Sequence, residues 1–158
     1  MTRRLIAASV LLLPLLAGCV LAPEPLRGEF SALAPREARQ ASVDPAGQRV
    51  RWGGRLLEVT RFDTHTCFLV AAEPLGEDAR PYARGTSQGR FLACRAGAYD
   101  PAVFSPGRAV TFTGTVADND VQPIAGGYRM PRIDADVVYL WPESPGDARV
   151  RTPSPYAW

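Results

Sequence analysis

Between residues 49 and 141 the chain is cut into short runs of β-branched and aromatic residues, and this cutting is what most limits its fold. The runs are Val50–Thr60, Thr64–Ala71, Arg90–Arg95, Ala109–Val116, Tyr128–Met130 and Ile133–Trp141, with Gly, Pro, Asp and Asn between them. Such residues favour a pleated, half-buried backbone, and the breakers between them favour turns. Alternation is clear in two runs. Val110, Phe112, Gly114 and Val116 share one face against Thr111, Thr113 and Thr115, while Ile133, Ala135 and Val137 oppose Asp134 and Asp136. Five or six short strands with almost no helix predict an all-β domain, a small closed barrel over residues 49–141. Gly53-Gly54 inside the first run suits the bulge or sharp bend that a small barrel needs at its corners.

Two cysteines lie in these runs, and register connects them. Antiparallel partners keep a constant sum, so setting Cys67 opposite Cys94 also sets Leu69 opposite Leu92 and centres the hairpin at Arg80-Pro81. Directly opposed residues sit at a spacing that a disulfide tolerates. A disulfide between Cys67 and Cys94 is therefore expected in an oxidising compartment. The alternative is a pair of buried free thiols.

The N-terminus supplies that compartment. Arg3 and Arg4 precede the apolar run from Leu5 to Leu16, which is shorter than the ~20 residues that span a bilayer. Leu16-Ala17-Gly18-Cys19 follows and resembles the lipobox of bacterial lipoproteins. The small residues admit the backbone to a signal peptidase, and the Cys19 thiol receives the diacylglyceryl group. Residues 1–18 are thus expected to be a signal peptide, with Cys19 lipidated. By resemblance to processed lipoproteins, Cys19 carries a diacylglycerol and an N-acyl chain, which together make a stable anchor where one chain would hold only marginally. Val20 stands where enteric bacteria place the Asp that retains a lipoprotein at the inner membrane, so the expected destination is the outer membrane.

Removing 18 of 158 residues leaves 140, enough for one domain. Arg3 and Arg4 leave too, so 18 basic residues become 16 against 16 acidic. A neutral chain gives no electrostatic reason for a nucleic-acid partner. Every basic residue is arginine. Residues 19–48 are rich in proline and read as a lipidated tether that docks loosely, with one short helical possibility at Pro35–Gln40, where Pro35 suits the first helical position. Residues 142–158 read as a flexible proline-rich tail.

No run carries recognisable catalytic chemistry. The single histidine, His65, lacks a nucleophile in a context such as Gly-x-Ser-x-Gly and reads as an exposed structural residue. A lone histidine with two bonded cysteines falls short of a metal site, and no metal or other cofactor is expected. Asp118-Asn119-Asp120 lacks the further ligands of a calcium loop and reads as a polar turn. Asp134 and Asp136 read as solvated outward residues, and Gly126-Gly127 as a turn.

Several short pieces recur together in a known order. They are Arg51-Trp52-Gly53-Gly54, Glu73-Pro74-Leu75, Arg80-Pro81, Gly89-Arg90-Phe91-Leu92-Ala93, Tyr99-Asp100-Pro101, Gly107-Arg108-Ala109-Val110-Thr111 and Leu140-Trp141. Across about residues 23 to 142 the chain resembles the Slp family of starvation-inducible outer membrane lipoproteins of Gram-negative bacteria. Cys67 and Cys94 depart from that pattern, and the family's Tyr-x-Tyr-Pro run is matched only at Tyr128 and Pro131. The resemblance implies an OB-like barrel, closed or partly open, of five to six antiparallel strands with extended terminal segments, on the periplasmic face of the outer membrane. It also implies a link to stationary phase and acid stress, and no known catalytic residue.

Two functions of different class follow. One is a non-enzymatic lipoprotein that supports envelope integrity under starvation or acid stress. The other is a binding module, since OB-like barrels often take an oligosaccharide or oligonucleotide on a barrel face. For this neutral chain that partner would be a glycan, a peptide or an envelope protein. Arg51, Arg55, Tyr99 and Arg129 are the candidate binding surface, with Trp52 read as core. A clustered arginine and aromatic groove would favour the second function.

Overall fold

The computed structural model describes residues 21–40, 44–83, 87–117 and 130–144. Five strands close into one barrel: β1 (Arg49–Arg61), β2 (His65–Ala72), β3 (Arg90–Ala96), β4 (Ala109–Val116) and β5 (Arg132–Leu140). Their order around the barrel is β1-β2-β3-β5-β4, with β4 returning to β1. Ahead of them come a single 3-10 turn (Glu24–Leu26) and the short helix α1 (Pro35–Gln40). The helix starts at the expected proline, and its open N-terminus is capped where Glu37 accepts from the Ala34 amide at 2.9 Å. Tyr128 and Arg129 lie outside the described residues.

Closure depends on one long, bent strand. β1 pairs β4 through residues 49–55 and β2 through residues 54–61, so it changes partners at Gly54-Arg55. A Cβ on Gly54 would stand 1.9 Å from the Ala71 carbonyl oxygen, and one on Gly53 would stand 2.7 Å from that of Val110. Only glycine lets three backbones approach this closely, which explains the glycine pair in the middle of a strand. The bend is completed by a bulge at Leu57, which is skipped between the pairs Leu56–Val70 and Glu58–Leu69.

β2 and β3 form the expected hairpin, with Cys67 opposite Cys94 and Leu69 opposite Leu92. The two sulfurs are joined, with the Cα atoms 4.1 Å apart. Four of the five seams are antiparallel. The β3–β5 seam is parallel and only three pairs long, from Leu92–Arg132 to Cys94–Asp134. This corrects the expectation of antiparallel strands throughout. A five-stranded barrel entered by two hairpins must bring its last strand back beside the third in the same direction. Past Asp134 the strands part, and the Arg95 guanidinium donates to the Asp136 carbonyl that β3 no longer reaches.

A column of rings fills the barrel. Trp52 meets Phe91 edge-on at 5.3 Å, Phe91 meets Phe112 at 6.0 Å, and Phe112 meets Phe68 at 5.4 Å. Tyr99 and Phe104 from the β3–β4 connection then pack on Phe68. Ala38 of α1 and Leu33 reach the same core. Edge-to-face contacts of this kind add to the burial of the rings themselves.

β5 does not keep the alternation read from its sequence. Ile133 and Ala135 face this core, but so do Val138 and Leu140, while Val137 and Tyr139 face outward into a second apolar cluster. The cause is a bulge at Asp136, skipped between the pairs Thr113–Val137 and Gly114–Ala135. One extra residue moves every later side chain to the opposite face. Gly114 permits it, since a Cβ there would lie 2.4 Å from the Asp134 carbonyl oxygen.

Candidate functional site

The threonine face of β4 is not a solvent face. Thr111 and Thr113 are fully buried, because a second layer of chain covers the outside of β4 and β5. Its apolar members are Ala22, Leu26, Ala79, Ala109 and Trp141, with Val137 and Tyr139 packed against them. A hydroxyl sealed under such a layer needs partners. Thr111 Oγ1 donates to the Ala79 carbonyl at 2.8 Å and accepts from Trp141 Nε1 at 2.9 Å. Ala79 holds a left-handed backbone (φ 66°), unusual for a residue with a Cβ, and its buried methyl fills the layer.

The N-terminal segment builds this layer. It is fastened along its length, so the expectation of loose docking is corrected. Arg27 Nε closes the first turn on the Ala22 carbonyl at 2.7 Å, and Leu26 is fully buried. Burying a leucine side chain contributes ~1.5–3 kcal/mol, enough to hold the turn down. Arg51 Nη1 donates to the Leu26 carbonyl at 2.8 Å, and the Phe30 ring lies near both Arg49 and Arg51, 5.5 and 5.1 Å from their guanidinium carbons. The Ser31 amide bonds to Arg49, and Trp52 Nε1 donates to the Leu33 carbonyl at 2.7 Å. Residues 22–38 therefore form a strap across the barrel. A short apolar run without period gives no signal of this in sequence, because its partners are far along the chain.

Against Trp141 of the same layer, the Arg80 guanidinium lies 5.3 Å from the ring centre and donates to the Pro142 carbonyl at 3.0 Å. Arg108 donates to the Trp141 carbonyl at 2.9 Å and pairs with Glu143 at 3.5 Å. Leu21 stands at the edge of the strap, 67% exposed.

The candidate binding residues are not assembled into one exposed surface. Arg51 is spent on the strap, Arg55 pairs with Glu73 at 3.3 Å, and Tyr99 packs on Phe68 and Phe104. Arg129 lies outside the described residues. Trp52 is core, as read. A cleft of about 290 Å³ does open between the strap and β1, lined by Phe30, Leu33, Arg51, Trp52, Glu73 and Gln88 among others. His65 is half-exposed and stacks on Phe62 at 4.6 Å at the β1–β2 turn. Among the described residues no group of three or more His, Cys, Asp or Glu side chains is placed to hold a metal. Asp118, Asn119, Asp120, Gly126 and Gly127 lie outside them, as do Leu16, Ala17, Gly18 and Cys19.

Asp136 proves to be more than a solvated outward residue. Its bulge turns the carboxylate onto the Thr113 hydroxyl, and Arg49 pairs with it at 2.7 Å. Partial burial pushes its pKa up, but the bonds from Thr113 and Arg49 outweigh this and hold it below the usual value. Asp134 is exposed and faces Arg132 at 3.5 Å.

Comparison with known proteins assigns the chain to a family. Residues 16–158 match the Outer membrane lipoprotein Slp family. The lipoprotein YeaY of Escherichia coli (strain K12) is 32% identical over 104 residues, covering 65% of this chain and 53% of that protein. The outer membrane protein Slp of the same strain is 30% identical over 105 residues, covering 65% of this chain and 55% of that one. The chain thus spans about half the length of the curated relatives it matches. A match across nearly the whole chain places it: the protein belongs to the Slp family of outer membrane lipoproteins.

Proposed function

We propose that this chain is a non-enzymatic lipoprotein whose barrel is held on the periplasmic side of the outer membrane by lipid on Cys19 and supports envelope integrity under starvation or acid stress. The observation that carries the reading is the strap: Ala22, three residues after Cys19, is already buried in the folded unit. Lipid on Cys19 would therefore fix the whole barrel at the bilayer and not a loosely tethered domain. Leu16, Ala17 and Gly18 would present that cysteine to the processing peptidase, and the acyl chains would be its only non-protein groups. The stress role rests on family membership.

The test is a Cys19→Ser variant followed through membrane fractionation and an acid-survival assay. The expected outcome is a soluble protein and a loss of protection. Full protection by the soluble variant would sink the membrane-bound role.

The cleft beside Arg51 and Glu73 favours a second reading, a module that binds a glycan, a peptide or an envelope protein. A Gln88→Trp variant would fill the cleft from its rim without touching the strap's bonds. Unchanged acid survival with that variant would count against binding there.

A further inference from the structure

We propose that the outer layer built on Ala22, Leu26 and Trp141 rests directly on the phospholipid surface, with Leu21 in the interface and Arg27 and Arg80 at headgroup level. The inference rests on the reading of Cys19 as the lipid-bearing residue and goes beyond it by assigning one face of the barrel to the bilayer.

Chain length carries the argument. Ala22 is three positions after Cys19, and a fully extended chain covers at most ~3.3–3.6 Å per residue, so the two lie within about 10 Å. Ala22 is 7% exposed and cannot leave its place without opening the layer that contains Leu26 and Trp141. A lipidated Cys19 sits where acyl chains enter the bilayer. The layer around Ala22 is therefore held within about a Debye length of the headgroups, where charge still acts.

The chemistry of this rim fits that position. Leu21 is the most exposed large apolar residue among those described, at 67%. Arg27 closes the strap on the Ala22 carbonyl, and Arg80 lies against the ring of Trp141, which shares a cluster with Ala22. Guanidinium groups suit phosphate oxygens, and an exposed apolar side chain suits the boundary of the acyl region. By contrast, Arg55 pairs with Ala109 of this layer, and the β1–β2 turn with Phe62 lies seven residues of strand beyond Arg55, roughly 20 Å away at strand rise. That exposed phenylalanine is on the wrong end of the molecule for the anchor.

The experiment uses the lipidated full-length mature protein in vesicles of phosphatidylethanolamine and phosphatidylglycerol doped with a phosphatidylglycerol bearing a headgroup diazirine. After photolysis, the labelled peptides are mapped by mass spectrometry. The expected result is labelling of the peptides containing Leu21–Arg27 and Arg80–Tyr82 several-fold above that of Arg61–Thr66. Even labelling of all surfaces, or labelling centred on Phe62, would overturn the assignment of this face while leaving the anchor in place. The Cys19→Ser protein is expected to stay unlabelled. If it binds and labels on the same face, the face stands and the lipid reading fails.

Discussion

Thr111 and Trp141 are joined by a buried hydrogen bond, indole Nε1 to hydroxyl oxygen at 2.9 Å, that locks the end of the last strand under the N-terminal strap. The same hydroxyl donates to Ala79, so one side chain ties β4, the β2–β3 connection and the end of β5 together. Thr111→Val keeps the shape and removes both bonds, leaving a buried N–H and a buried C=O unpaired. Each such orphan costs about 1–3 kcal/mol, so a loss of ~2 kcal/mol or more is expected in urea unfolding. Thr111→Ser keeps the hydroxyl and is expected to lose clearly less. Equal losses would mean that packing and not the hydrogen bonds matters here.

The corner glycines make a sharper prediction. Gly54→Ala would drive a methyl into the Ala71 carbonyl, which is backbone and cannot move aside. Overpacking typically costs ~1–3 kcal/mol, and this site lies at or beyond the upper end. Gly47→Ala is the control: open space surrounds it, and only its positive φ of 81° is strained, at a cost of ~1–2 kcal/mol. Melting temperatures should rank wild type above Gly47→Ala above Gly54→Ala. Normal stability in Gly54→Ala would contradict a closed barrel with its corner at this residue.

The bond between Cys67 and Cys94 closes a loop with a sequence separation of 27. On the loop-entropy account this stabilises the fold by about 3–4 kcal/mol. The Cys67→Ala, Cys94→Ala protein should unfold at correspondingly lower denaturant. Alkylation of the unreduced chain in denaturant should modify neither residue, and finding two modified thiols would refute the bond.

Asp136 should shape the acid limb of stability. The bonds from Thr113 and Arg49 hold its folded pKa below the ordinary carboxylate value, so its contribution is fully present above that value and fades as pH falls through the lower folded one. Asp136→Asn should therefore weaken the protein near neutral pH and lose less on acidification than wild type does. Parallel acid limbs in circular-dichroism titrations would rule out this role for Asp136.

Much of the barrel is legible in sequence, and the reasons for the rest are specific. β2, β3 and β4 run where β-branched and aromatic residues cluster, and setting Cys67 opposite Cys94 gives the observed hairpin register, Leu69 opposite Leu92 included. The helix at Pro35 is announced by its proline. The bulge at Asp136 is invisible, because an extra residue in an alternating run looks like any other, and it sends Val137 to the opposite face from Ile133. The burial of Thr111 and Thr113 is equally hidden, since the partners of Thr111 are Ala79 and Trp141, and that of Thr113 is Asp136 at the bulge. Arg51 and Arg55 look like a binding surface in sequence because an arginine's partner cannot be read there, and Leu26 and Glu73 are those partners. The candidate site fares least well for that reason.

The central claim is that Cys19 begins the mature chain and carries the lipid that fixes this barrel to the outer membrane. Intact-mass and N-terminal peptide analysis of the protein from purified outer membranes tests it most directly. The expected product is a chain that starts at Cys19, bears a diacylglyceryl and an acyl group, and is lost from the membrane fraction in Cys19→Ser. An N-terminal peptide that still carries residues 1–18, or an unmodified Cys19 on membrane-bound protein, would contradict it.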